Sequence, residues 1–311
     1  MKNFRKIFGD FQKYFYGTDE FSFLPSRDSF HYPIDLSFTL EDIPFYYHPV
    51  DDYGIPYKVY ASVGEQYNPT RVAAYGLSNY NLFADSGDEV AKNLVLKVAD
   101  WFLGKENARY EYNFDWQDLK APWISCMAQG EAASILVRAF ILTNDSAYLN
   151  HAKKSLAPFF EEVPHGGVRS YLADNSVFLE EYPSSRPGHV LNGFLYSIIG
   201  LEEYCRVSKD EDALTLFDEL VKSLVDNIHL WSANSWSLYE IREPSAKMAN
   251  YCTPSYHNLQ ISQLKWVLEH RASDKLGEIV EEWERGLQSF PVRMYAMLGK
   301  VVYRLNNRAQ R

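Results

Sequence analysis

Along the first sixty or so residues the apolar positions keep no single period. "YPIDLSFTL" alternates like a strand and prolines and aspartates interrupt the rest, so residues 1–66 read as an irregular, partly β arm. From residue 67 the pattern turns helical, which marks 67–311 as one larger domain. "NPTRVAAYGLSNYNLF" opens with Asn68 as an N-cap and Pro69 at the first helical position. In "GDEVAKNLVLKVADWFLG" the spacing gathers Val90, Leu94, Leu96, Val98, Trp101 and Phe102 largely on one side. "PWISCMAQGEAASILVRAFILTND" predicts a long helix of small and apolar residues, and "SAYLNHAKKSLAPFFEE" follows after a short turn.

The same pairing then recurs. "HVLNGFLYSIIGLEEYCRVSKD" precedes "EDALTLFDELVKSLVDN", and "YHNLQISQLKWVLEHRASD" precedes "KLGEIVEEWERGLQSF". The turn aspartates Asp145, Asp210 and Asp274 are 65 and 64 residues apart, and Gln129, Asn192 and His257, near the starts of the apolar helices, are 63 and 65 apart. With Asp88 as the turn of an earlier, shorter unit, the chain holds four helical hairpins, each an apolar helix followed by a more charged one. The apolar helices would line the inside of a ring and the charged ones its outside. The expected architecture is mainly α: an α/α barrel or open toroid, with short β pieces such as "GGVRSYLADNSVFLEEY" and "ANSWSLYEIRE" at the rim. An unclosed stack of hairpins is the competing arrangement.

Composition trims the options. The chain of 311 residues is 46% apolar and 23% charged, ordinary for a globular protein. A net charge of −10 argues against a protein that coats nucleic acid, yet leaves room for an acidic ligand held by local arginines. Cys126, Cys205 and Cys252 are too few and too scattered for a disulfide framework or a zinc site, and no spacing of acidic residues forms a metal cage. "MKNFRKIFGDFQKYFYG" is not followed by an apolar run of signal-peptide length, and no window is read as a membrane span, so a soluble, cytoplasmic protein is expected. Of the 23 tyrosines most are expected to pack, but six, ending with Tyr67, crowd the non-helical "FYYHPVDDYGIPYKVYASVGEQYNP", where flat rings with a polar tip suit sugars.

In a helical ring the starts of the inner helices converge on one mouth. "VFLEEYPSSRPGHVLNGFLYSIIGLEEY" sets Glu181 and Tyr182 in a polar loop just before an apolar helix. The loop would line a cleft and the helix would be scaffold. Tyr239 and Arg242 precede the next inner helix, and Tyr256 with His257 stands at its start. Each has a plain alternative: a solvated turn, a surface ion pair of Arg242 with Glu240 and Glu243, a mere helix start. Their recurrence at one phase of the repeat favours a site. Glu180 and Glu181, adjacent on extended backbone, would point apart and make a poor glycosidase pair.

"WISCMAQGEAASILVRAFILTND", "FLEEYPSSRPGHVLNGFLYSIIGLEEY", "SLYEIRE" and "YHNLQISQL" resemble the C-terminal region of the D-glucuronyl C5-epimerases that act on heparosan and heparan sulfate, and "NPTRVAAYGLSNYN" resembles a segment further upstream in that family. The similarity covers roughly residues 65–290. Animal members carry a long β-rich insertion where "LFADSGDEVAKN" stands here, so the chain resembles a compact relative.

The resemblance implies conversion of D-glucuronate to L-iduronate units in a heparosan-like polymer, with Glu181, Tyr182, Tyr239, Tyr256 and Arg242 as catalytic candidates. Removing the C5 proton piles charge onto the uronate carboxylate, which Arg242 could clamp bidentately with Tyr239 donating beside it. Inversion needs groups on both faces, and Tyr256 and the Glu181/Tyr182 loop lie on different segments. A tyrosine base would need its pKa lowered, by Arg242 or His257. Substrate-binding candidates are Tyr67, Arg71, Gln129, Arg186, Asn192 and His257, with Arg71, Arg186, Arg242 and Lys247 as a locally basic patch. The scheme requires no cofactor. The competing functions are a toroidal uronate lyase, which expels the C4 substituent after the same proton abstraction, and a glycan-binding protein without turnover. The apolar C-terminal "FPVRMYAMLGKVVYRLNN" is expected to pack on the barrel or on a second subunit, as a homodimer.

Overall fold

The computed structural model describes residues 11, 14–15, 17, 21–26, 29–242 and 248–306. Helices pair as α1 (Pro69–Ser86) with α2 (Glu89–Leu103), α3 (Cys126–Thr143) with α4 (Ser146–Leu156), α5 (Leu191–Ser208) with α6 (Glu211–Asn227), and α7 (Pro254–His270) with α8 (Asp274–Gln288), and α9 (Phe290–Asn306) follows. Capping sets the boundaries. Asn68 accepts from Arg71 N with Pro69 in the first turn of α1, while Asp88, Asp145 and Asp210 accept from the first free N–H groups of α2, α4 and α6. In the fourth unit the cap slips by one residue: Ser273 accepts from Leu276 N and Asp274 is already helical.

The odd-numbered helices form the inner layer, in the order α1–α3–α5–α7, and the even-numbered ones the outer layer. This is the α/α toroid. Helices α3 and α5 approach closely through glycine: a Cβ on Gly130 would lie 2.5 Å from Ser197 Cα. Contrary to expectation, α3 is long and apolar enough by composition to cross a membrane; 72% of it is buried in the ring, as befits a helix covered on all sides. On α2 the buried stripe is Ala91, Val95, Val98, Ala99 and Phe102, and Val90 is 69% exposed. Of the expected stripe, Val98 and Phe102 are core and Leu94, Leu96 and Trp101 pack against it, and Val90 alone points outward.

The arm does more than lie on the barrel. Asn258 of α7 donates to Phe21 O, Ser26 N donates to Glu269 of α7, and Arg206 of α5 donates to the carbonyls of Ser26 and Ser29. Asn81 of α1 bonds both backbone groups of Tyr32, at 2.7 and 3.0 Å. The arm therefore runs from α7 across α5 to α1. Beneath it the rings of Tyr32 and Tyr80 flank the Arg138 guanidinium, which makes two 2.7 Å bonds to Glu203, both partners fully buried. This pair fills the ring near the C-terminal ends of the inner helices.

The strands form two-stranded antiparallel hairpins: β1 (Lys58–Tyr60) with β2 (Gly64–Gln66), β3 (Arg169–Tyr171) with β4 (Val177–Leu179), and β5 (Ser232–Ala233) with β6 (Trp236–Ser237). A satellite core of Tyr14, Trp236, Leu238, Tyr251, Leu287, Ala296 and Met297 seats α9. Its outer side leaves Tyr295, Leu298, Val302 and Leu305 exposed.

Candidate active site

The two later rim hairpins deliver side chains to the mouth by one device. After β4, Glu180 N donates to Val168 O at 2.8 Å, and its carbonyl accepts from Cys126 N, the first residue of α3, at 3.0 Å. After β6, Tyr239 N donates to Asn250 O at 2.8 Å, and its carbonyl accepts from Leu191 N, the first residue of α5, at 3.1 Å. Each carbonyl satisfies a helix-start N–H and pins its segment at the N-terminal mouth. Tyr256 comes on α7 itself, in the turn capped by Thr253.

Glu181 is the centre of the cluster. Its side chain lies across Gly193 in the first turn of α5, where an added Cβ would come within 2.7 Å of Glu181 Cβ. The hydroxyls of Tyr182 and Tyr239 act on its carboxylate as neighbours that favour the ionised form, while Oε2 has no partner and the residue is 8% exposed. Burial is the largest influence and lifts its pKa to about 7, against these hydroxyls and with the charges of Glu180 and Glu240. Tyr239 and Tyr256 meet edge to face at 5.8 Å, and Trp123 stacks on Tyr112 at 4.2 Å and touches Tyr182 at 5.9 Å.

In the resting site the tyrosines are protonated. Burial first, and then the charge of Glu181, raises the pKa of Tyr182 and Tyr239 well above the usual value; Tyr256, 41% exposed at the mouth, is shifted upward by the same two causes, desolvation by its neighbours first. The net shift is upward, so Arg242 and His257 do not bring these phenols below their usual value. Near neutral pH these hydroxyls keep their protons and donate, and Glu181 is the group able to accept one. Glu180 turns the other way, to Ser170 Oγ and to His189, whose Nδ1 lies 2.6 Å from it.

Several expected ligands are structural instead. Gln129 is fully buried and spends its amide on Tyr110 N, Ala108 O and Ser155 O. His257, also fully buried, bonds Ser237 and Trp283 O and stacks on Trp236 at 3.9 Å, with burial lowering its pKa to about 3. Both tie the outer layer to an inner helix, so at these two positions the recurrence marks architecture, not ligand contacts. Asn192 is buried beside Gly193; its carbonyl accepts from Gln263 and its Oδ1 has no partner.

Arg242 is exposed, and its charge acts on Tyr251 of the satellite core rather than leading at Glu181, Tyr182, Tyr239 or Tyr256. Arg186 is exposed on the loop. Tyr67 donates to Asp51 at 2.6 Å and packs on Trp101, beside a surface groove of about 690 Å³ lined by Asp51, Tyr53, Lys97 and Trp101. Arg71 donates to His48 O and lies 6.0 Å from the Tyr47 ring. Lys247 and Glu243 lie outside the described residues. Among those described, no three His, Cys, Asp or Glu side chains are placed to hold a metal.

The inner helices also supply groups that the sequence reading passed over. Glu131 of α3 and Tyr196 of α5 are buried and couple electrostatically with each other and with Glu181. They stand 65 residues apart, the repeat spacing, which was the available signal.

Fold and site together define an α/α toroid with a carboxylate–tyrosine cluster at the N-terminal mouth of its inner helices. The chain belongs to the D-glucuronyl C5-epimerase C-terminus family, whose pattern matches residues 104–285 and so takes in Glu181, Tyr182, Tyr239, Arg242 and Tyr256. It is 32% identical over 207 residues to the D-glucuronyl C5-epimerase of Caenorhabditis elegans, covering 60% of this chain and 33% of that protein. It is 26% identical over 178 residues to an uncharacterized protein of Methanocaldococcus jannaschii, covering 56% of each. The chain thus spans only a third to about half of these relatives' length. Among solved structures, cellobiose 2-epimerase from Bacillus thermoamylovorans superposes with a TM-score of 0.55 at 11% identity, over 77% of this chain and 66% of that one, which shows the toroid fold.

Proposed function

We propose that the protein is a uronate C5-epimerase that converts glucuronate to iduronate units in an acidic, heparosan-like polysaccharide. The observation that carries this reading is Glu181: a buried carboxylate with a pKa of about 7, flanked by proton-bearing tyrosines, in a chain of this family. A base that is about half ionised at neutral pH meets the demand of proton abstraction better than a phenol whose pKa has been raised. Glu181 takes the C5 proton from one face, and Tyr256 delivers its hydroxyl proton to the other. The C5–H bond breaks toward Glu181 and the new one forms from Tyr256, leaving a carboxylic acid and a phenolate. The proton on Glu181 is then lost and the Tyr256 phenolate takes one up, by way of the neighbouring hydroxyls of Tyr182 and Tyr239 or of solvent at the mouth, so that both groups are reset. Iduronate traverses the same path backwards.

Incubation with heparosan, followed by NMR of the chain and near-ultraviolet absorbance, tests the reading. Iduronate signals without new absorbance are expected. Absorbing, unsaturated chain ends would make the protein a lyase, and an unaltered polymer that still binds would make it a binding protein.

A further inference from the structure

The proton shuttle above leaves unused a buried acid that carries an unpartnered oxygen. Glu131, in the second turn of α3, is 2% exposed and its Oε2 has no partner. The groups that sense its charge come from every side: Glu181 from the rim loop, Tyr112 from the segment before α3, Tyr196 from α5, and Tyr32 and Tyr47 from the arm. All are acids. Burial and the charge of Glu181 hold Glu131 well above the usual carboxylate range, and no cation is among its leading influences. Arg138, seven residues on in the same helix, is committed to Glu203. A neutral carboxylic acid carries one O–H donor and is far cheaper to bury than an unpaired carboxylate. An unmatched oxygen here does nothing for the fold, since an apolar or fully bonded side chain would be more stable.

Uronate chemistry has a use for it. As C5 loses its proton, negative charge gathers on the sugar carboxylate, and a buried donor that keeps its own proton stabilises that charge without itself adding any. We propose that Glu131 is a catalytic residue that contacts the sugar, donating a hydrogen bond from its carboxylic acid to the uronate carboxylate. The assignment rests on the epimerase reading for the identity of the ligand. It gives the carboxylate-stabilising role to a residue inside the ring, whereas Arg242 stands exposed at the edge.

Two measurements test it. Difference infrared spectra of the protein at pH 7, wild type against Glu131→Gln, should show a protonated-carboxyl band lost in the variant, and this band should shift when heparosan oligosaccharide is added. In kinetics on heparosan, Glu131→Ala should lower kcat by about 10²–10³ with little change in KM, as for loss of an oxyanion donor. Glu131→Gln, which retains an N–H donor and the shape, should lose only about tenfold. The absence of the band, a band that oligosaccharide leaves unmoved, or wild-type kcat in Glu131→Ala would overturn the assignment. If the wild type fails to epimerise heparosan, the epimerase reading falls, and the infrared shift still decides whether Glu131 meets the sugar.

Discussion

Raising the pKa of Glu181 from 4.5 to about 7 means that the native state prefers the protonated carboxyl more strongly than the unfolded chain does. The stability this contributes is present below about pH 4.5 and is lost as pH rises through 7; above that, ionised Glu181 weighs against folding by roughly 3 kcal/mol. Glu181→Gln should therefore abolish turnover yet raise the melting temperature at pH 8, with little difference from wild type at pH 4.5. Equal melting temperatures at both pH values would show that Glu181 is not held neutral by burial. At this scale the polar loop before an apolar helix pointed to Glu181 and Tyr182, and the phase of the repeat to Tyr239 and Tyr256, four residues that the fold brings to one mouth. The sequence misled at Gln129 and His257, because a buried amide or imidazole that ties a carbonyl has the same sequence appearance as one that faces a ligand. Glu131 was hidden in a helix read as scaffold.

The element scale was the most legible, since capping and hydrophobic period act locally and the 65-residue spacing multiplies the signal. What the period does not carry is the closeness of neighbouring helices, which depends on the small residues between α3 and α5. Gly130→Ala should be destabilising by at least about 1–3 kcal/mol, because its Cβ must displace Ser197 backbone. It should also lower turnover, as α5 carries Gly193 and hence the seat of Glu181. Gly277→Ala on outer helix α8, where the added Cβ meets nothing within 4 Å, should instead stabilise by up to about 1 kcal/mol. Chemical denaturation of the two variants separates them, and a neutral Gly130→Ala would refute the close contact.

For the molecule as a whole, the arm is the part that pattern could not reveal. Its ties to α7, α5 and α1 are hydrogen bonds between backbone and scattered side chains, which have no period in sequence. Asn81 satisfies both backbone polar groups of Tyr32, so Asn81→Ala should destabilise by roughly 2 kcal/mol and speed hydrogen exchange in residues 29–36. Unchanged exchange there would mean that the arm is held elsewhere. By closing the ring at the C-terminal ends of the inner helices, the arm and the Arg138–Glu203 pair leave the N-terminal mouth as the place for chemistry.

That chemistry assigns opposite faces of the sugar to Glu181 and Tyr256, and deuterium uptake at C5 reads those faces directly. Wild-type protein in heavy water should place deuterium at C5 of both glucuronate and iduronate polymers. Glu181→Gln and Tyr256→Phe should each lose net inversion, and any residual exchange should favour one epimer in the first variant and the other epimer in the second. No C5 deuterium with wild type, or equal exchange of both epimers by both variants, would contradict the two-sided site.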